Sequence, residues 1–243
     1  SGAMQLALGI VTALVAREQT GSGQRVQTSA LGAQLWLQAW ELCHVWMTGK
    51  PLQRAGAHHP NIYAPYGIYE TSDGGYFLFA VARTNEAWHA FWEFAGDTDE
   101  SSNPRWNQPG KRLGQGKTER DAIEIQNKMR LVFKGKTTMA WDDFLASQPD
   151  IIYERVRTYD EVRIDPQALA NNYIETVEVD HIGETSFVGN LMTFSETPAA
   201  TRGGPPGLGA DTESVMTDLG FGKEDINSAV EHATAQRQVA LAE

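Results

Sequence analysis

The chain has one cysteine, no apolar run long enough to span a membrane, and a shortage of basic side chains. A single thiol, Cys43, excludes an internal disulfide, and no Cys/His grouping has zinc spacing, so no metal site is expected and a reducing compartment fits. The most apolar stretch, Met4 to Ala16, falls short of the roughly 18–20 residues a span requires. It has no basic residue ahead of it and runs into Arg17-Glu18-Gln19-Thr20-Gly21, unlike a signal peptide. A cytoplasmic protein with no membrane partner is expected. Twenty Lys/Arg face 31 Asp/Glu, a net charge of −11, which makes nucleic acid a poor partner. The imbalance is uneven: residues 1–69 carry +2 and residues 70–243 carry −13. One local reversal runs from Arg105 to Lys136, with nine basic side chains against Glu119, Asp121 and Glu124. It reads as a solvated helix face rather than an anion site.

What is present is an ordinary globular composition, 41% hydrophobic over 243 residues, enough for a sizeable core. Ala3, Leu6, Ala7, Ile10, Val11, Leu14 and Val15 give the first segment a helical period. That helix is apolar almost all round, which calls for partners on several sides and for residues upstream. Gly21-Ser22-Gly23 stops it, Arg25 to Ser29 alternates like a short strand, and Leu31 to Met47 returns to helical spacing. Trp36, Trp40, Trp46 and Cys43 on this second helix read as packing residues. A turn-rich loop follows from Gly49 to Asn61.

Tyr66 to Thr71 and Tyr76 to Ala82 are strand-like and flank Ser72-Asp73-Gly74-Gly75, a hairpin signal. Asn85 is placed to cap a helix to Phe94, residues 96–117 read as loop, and Thr118 to Phe133 and Thr138 to Ala146 as helices. Ile151-Ile152-Tyr153 and Tyr159 to Val162 follow, then Asp165-Pro166-Gln167, a helix start with Pro in its first turn. Thr176 to Val179 and Thr185 to Val188 flank His181-Ile182-Gly183-Glu184 as a second hairpin. Residues 197–207 form a connector, whose prolines remove the backbone donors a phosphate cradle needs. Two helices, Asp211 to Leu219 and Glu224 to Gln236, close the chain.

No local catalytic signature is present: no Walker loop, G-x-S-x-G elbow or H-E-x-x-H. The paired His58-His59-Pro60 stand out, because they lie in a loop with Gly56 and no aliphatic run to bury them. An imidazole there could orient a carboxylate or carbonyl, or bridge two domains structurally.

The ordered segments resemble the class III CoA-transferases, the CaiB/BaiF family, which includes formyl-CoA transferase and α-methylacyl-CoA racemase. The resemblance covers the whole chain. It rests on Leu8-Gly9-Ile10 running into Arg17-Glu18-Gln19-Thr20-Gly21-Ser22-Gly23-Gln24, on His59-Pro60 and Pro65-Tyr66-Gly67-Ile68-Tyr69-Glu70-Thr71, and on Asp73-Gly74 and Asp165-Pro166-Gln167. It ends with Phe194-Ser195-Glu196-Thr197-Pro198 and Gly207-Leu208-Gly209-Ala210-Asp211-Thr212.

The resemblance implies an α/β protein: the C-terminal part of a Rossmann-like large domain plus a small α+β domain, from a family of interlocked homodimers. Residues 1–48 would belong to the large domain, 49–61 to a linker and active-site loop, 62–148 to the small domain, 149–157 to a linker, and 158–243 to the large domain again. The missing N-terminal half would supply most of the CoA pocket. The implied function is transfer of CoA between an acyl-CoA and a carboxylic acid through an aspartyl covalent intermediate, with coenzyme A as substrate and no cofactor. The nucleophilic Asp falls just upstream of Ser1, so this chain holds no catalytic residue and alone should be inactive. The first-turn amides of Ser1, Gly2 and Ala3 are the implied oxyanion donors. Gly56, Ala57, His58, His59 and Pro60 take the place of a glycine-rich active-site loop and are the implied substrate-binding residues. Only Gly56 keeps the glycine, which argues against formyl-CoA and oxalate. Racemase relatives carry an acid where this chain has Arg83, so transfer is favoured over racemisation or epimerisation. A non-catalytic subunit or binding module is the remaining alternative. The Asp150 to Val156 segment departs from the relatives' Gly-Pro turn and implies a different acyl pocket.

Overall fold

A computed structural model describes residues 1–179 and 182–242 and divides into two compact units, Ser1–Val156 and Arg157–Glu243. The first unit opens with three helices, α1 (Gly2–Thr20), α2 (Ala30–Leu37) and α3 (Ala39–Thr48). α1 ends where Gly21 turns left-handed at φ 72°, and Ser29 caps α2 by accepting from the Gly32 amide at 3.0 Å. The single helix expected over Leu31 to Met47 is broken at Gln38, whose backbone leaves helical geometry at φ −100°, ψ 17°. The strand expected at Arg25 to Ser29 is not formed, since no strand among the described residues offers it a ladder.

The core lies further on. β1 (Gly67–Glu70), β2 (Tyr76–Ala82) and β3 (Ile151–Val156) form an antiparallel sheet in that order. Gly67 faces Phe79 and Tyr69 faces Phe77, while Phe79 faces Tyr153 before a bulge shifts the register to Val81 opposite Ile152. Alternation turns Phe77 and Phe79 to one face and the bulge brings Ala82 back to it, where α4 (Asn85–Ala95), α7 (Glu119–Lys134) and α8 (Thr138–Ala146) help cover them. Trp88, Phe91, Trp92, Met129, Phe133 and Trp141 fill the interior. Phe133 and Trp141 stack at 4.3 Å, and Tyr69 stacks on Phe133 at 5.1 Å. The expected hairpin thus holds, with Gly74 taking the positive φ (87°) of its turn. Residues 149–157, expected as a linker, instead contain β3. Its partner strand lies some seventy residues away in sequence, so local pattern cannot reveal the pairing.

Three further corrections concern side chains. Thr84, not Asn85, caps α4, because its hydroxyl reaches the Ala87 amide at 3.2 Å. The 96–117 loop contains two short helices, α5 (Thr98–Ser101) and α6 (Pro109–Arg112), and sends Trp106 and Arg112 into the core. Trp36 and Trp46 do not pack within this unit, at 73% and 71% exposed, and Cys43 is exposed too, whereas Trp40 keeps one ring contact, with His59. No residue of α1 is buried, and Leu8, Val11 and Val15 face out. The reason is that α1 to α3 have no sheet beneath them in this unit.

The second unit holds α9 (Tyr159–Arg163), α10 (Pro166–Ala170), a hairpin of β4 (Ile174–Val179) and β5 (Gly183–Val188), then α11 (Thr212–Asp218) and α12 (Lys223–Ala242). Thr158 and Glu161 form a capping box, and Asp165 caps α10 by accepting from Ala168 at 2.9 Å with Pro166 in the first turn. The hairpin is the one expected, although His181 of its turn lies outside the described residues. Among the described residues no helix is long and apolar enough to cross a membrane.

Candidate functional site

The 53–63 loop and one face of α7 enclose a cleft of about 270 Å³. α7 starts on a capping box in which the Thr118 hydroxyl accepts from the Asp121 amide and the Asp121 carboxylate accepts from the Thr118 amide. Glu119, Ala122, Ile123, Gln126, Asn127 and Arg130 recur at intervals of three and four and so line the cleft along one helical stripe.

Backbone bonds fix the loop's shape, and side chains of α7 tie it to the stripe. Gly56 turns at φ 63°, the His58 amide donates to Ala55 O at 3.2 Å, and the Ile68 amide donates to Ala57 O at 3.0 Å. The Gln126 side-chain Nε2 donates to Ala64 O at 3.0 Å, and the buried Tyr69 hydroxyl to Pro65 O at 2.7 Å. Gly67 makes room for His58, since a Cβ there would stand 2.0 Å from the imidazole Nδ1.

His58 is half-buried between a backbone carbonyl and an exposed guanidinium. Its Nδ1 lies 3.2 Å from Tyr66 O, which can only accept, and its Nε2 lies 3.3 Å from Arg130 Nη2, which can only donate. The ring must therefore carry its proton on Nδ1 and be neutral. Burial pushes its pKa below the usual value of 6.5; the Tyr66 carbonyl opposes that shift and the Arg130 charge adds to it. Arg130 also donates from Nη1 to Asn127 Oδ1 at 2.6 Å. His59 is placed differently, stacked on Trp40 with its Nδ1 accepting from the Asn61 amide at 3.2 Å.

Of the sequence-derived candidates, His58, His59 and Pro60 line the cleft, whereas Gly56 and Ala57 shape the loop behind it. Ser1, Gly2 and Ala3 are not among the lining residues. Ser1 stands at the N-cap of α1 without a side-chain cap bond, and Gly2 faces Ala33 of α2. Arg83, where an acid would be needed for racemisation, donates to Pro149 O at 3.2 Å and pairs with Asp150 at 3.1 Å.

The basic run from Arg105 to Lys136 is mostly structural rather than a bare solvated face. Arg105 pairs with Asp121 and Glu124, Lys128 with Glu100, and Lys134 with Glu70 at 2.8 Å. Lys117 and Lys136 lie over the rings of Trp106 and Phe94. Arg112 is 0% exposed, and its guanidinium donates to Ala82 O, Trp106 O, Thr84 O and Asn85 Oδ1 at 2.9–3.0 Å. Burial brings its pKa down to about 10, so it stays charged at neutral pH. Arg130 alone among these reaches into the cleft, and sequence reasoning missed it; the three-and-four spacing from Glu119 was the available signal.

Comparison with known proteins adds to this geometry. The model of CoA-transferase family III matches residues 1–212. An acyl-CoA transferase of Fusarium pseudograminearum is 27% identical over 89% of this chain and 46% of its own length. A succinyl-CoA–D-citramalate CoA-transferase of Chloroflexus aurantiacus is 26% identical over 90% of the chain and 53% of its own. A crystal structure of a CaiB/BaiF family protein from Brucella suis superposes with a TM-score of 0.66 at 21% identity, covering 90% of this chain and 54% of that one. The chain thus spans about half the length of the relatives it matches.

Proposed function

The chain belongs to CoA-transferase family III, and from that premise we propose that the complete protein moves CoA between an acyl-CoA and a carboxylic acid. Its nucleophile is an aspartate just ahead of Ser1. That carboxylate attacks the thioester carbonyl and expels CoA thiolate, leaving a mixed anhydride. The thiolate then attacks the aspartyl carbonyl, releases the first acid and leaves an aspartyl-CoA thioester, from which the acceptor carboxylate takes CoA through the reverse steps. The first-turn amides at Ser1, Gly2 and Ala3 supply donors for the oxyanions, since the first N–H groups of a helix lack internal partners. Residues 56–60 border the substrate. Coenzyme A acts as substrate, and no cofactor takes part.

The observation that carries this reading is the family match over residues 1–212. Transfer is preferred to racemisation because Arg83 is committed to Asp150, leaving no acid at that position. Residues 1–48 and 158–243 belong with a Rossmann-like half, and the complete protein is a cytoplasmic homodimer. The exposed apolar faces of α1, α2 and α3 support a missing partner layer.

The test is to express the protein with its upstream half and screen acyl-CoAs against organic acids, trapping the enzyme with hydroxylamine for mass spectrometry. A hydroxamate on an aspartate just before Ser1, and no turnover by the 243-residue chain, are expected. Comparable transfer by the isolated chain would overturn the upstream nucleophile, and α-deuterium exchange without transfer would point to a racemase.

A further inference from the structure

Arg130 has no counter-charge among the described residues. Arg130 is held by Asn127 Oδ1 and His58 Nε2, both neutral, and no described carboxylate lies within ion-pair distance of it. The contrast with Arg105 is direct: that guanidinium is saturated by two carboxylates. Arg54 brings a second cation to the same lining. The one acid in the lining, Glu119, sits eleven residues earlier on α7, about 16 Å away along the helix axis. Between these ends Ile62, Ala122 and Ile123 make the wall apolar.

A guanidinium in contact with two neutral acceptors, exposed and lining the cleft, keeps further donors for a planar oxyanion. His58 matters to this arrangement because its neutral Nδ1–H tautomer, enforced by Tyr66 O, leaves the Nε2 lone pair to accept from Arg130. We propose that the cleft between the 53–63 loop and α7 is an oxyanion-binding subsite, with Arg130 as direct ligand and His58 as the positioning residue. Its volume suits a small organic acid, the carboxylate on Arg130 and the hydrocarbon against Ile62 and Ile123. The same chemistry would accept a phosphate of CoA. Assigning the oxyanion to either substrate rests on the CoA-transferase reading, whereas binding itself needs no turnover.

The test is an NMR titration of the 243-residue chain, following the His58 Cε1–H signal, identified by its loss in His58→Gln. Succinate and adenosine 3′,5′-bisphosphate are the probes, against sodium chloride at matched ionic strength. Saturable shifts with an oxyanion are expected, weakened about tenfold or more in Arg130→Gln, as for loss of a charge-assisted hydrogen bond, and less in Arg130→Lys. Arg130 is exposed, so the melting temperature of both variants should match the parent. Tighter binding of succinate assigns the subsite to the acid substrate, and tighter binding of the bisphosphate assigns it to CoA. The proposal is overturned if neither probe moves the signal beyond chloride, or if Arg130→Gln binds as the parent does. A failed hydroxylamine trap in the complete protein would sink the transferase reading without touching this result.

Discussion

The indole of Trp40 stacks on the imidazole of His59, with ring centroids 4.5 Å apart and planes inclined by 19°. This contact joins α3 to the cleft loop and holds the ring whose Nδ1 accepts from the Asn61 amide. Aromatic pairs of this kind contribute about 0.5–1.5 kcal/mol beyond simple burial. Trp40→Ala should therefore speed hydrogen exchange at Asn61 and its loop neighbours by roughly two- to tenfold. Exchange in β2 should not change, and an unaltered Asn61 rate would show that the stack does not restrain the loop.

Arg112 ties the end of β2 to the 103–114 segment through three backbone carbonyls. Removing the guanidinium takes a donor from each: Thr84 O keeps the Trp88 amide, whereas a buried acceptor left with no partner costs about 1–3 kcal/mol. Arg112→Ala should lose about 3 kcal/mol or more in urea unfolding. Arg112→Lys should recover only part, because one ammonium cannot span all the acceptors. A loss under about 1 kcal/mol would mean that water replaces the clamp.

Stability should depend on the His58 proton. The folded pKa is lowered, so between the ordinary value of 6.5 and the folded value the unfolded chain binds the proton and the native one does not. The contribution is whole above 6.5 and is lost as pH falls through this window. Melting curves of the parent and His58→Gln should converge as the pH drops below 6.5, and a constant gap between them would refute the assignment.

The hairpin turn is anchored to α8 by Asp73, which accepts from the Thr138 amide at 2.9 Å and from the Thr138 and Thr71 hydroxyls at 2.7 Å each. These bonds, the Thr138 hydroxyl first, hold its carboxyl well below the usual range. Its stabilising effect is complete above about pH 4 and lost as acid protonates it. Asp73→Ala should lower the melting temperature at neutral pH and lessen the acid sensitivity of β1 and β2. Equal melting temperatures would assign the turn's stability to Gly74 alone.

The outward faces of α1 to α3 form an apolar surface that a free chain must hide. Sedimentation velocity should show concentration-dependent association, reduced in the double variant Trp36→Ser, Trp46→Ser with the 67–156 core intact by near-ultraviolet circular dichroism. A parent that stays monomeric would count against this surface as a contact face.

Local pattern alone determined the helices at α1, α4, α7 and α8, the Asp73-Gly74 hairpin and the Asp165-Pro166 helix start, because caps, turns and hydrophobic period act within a few residues. It also singled out His58 and His59 as loop imidazoles, and the motif order implied the family that the match over residues 1–212 bears out. Only tertiary structure decided that β3 completes the first sheet, that Arg112 is interior while Trp36 and Trp46 are not, and that Arg130 meets His58. Each depends on whether a partner distant in the chain packs against the residue, as β2 does for β3 and His58 for Arg130, and as none of the described residues does for Trp36 or Trp46. Residue type reports what a side chain prefers, whereas the packing of remote elements decides which preference is met.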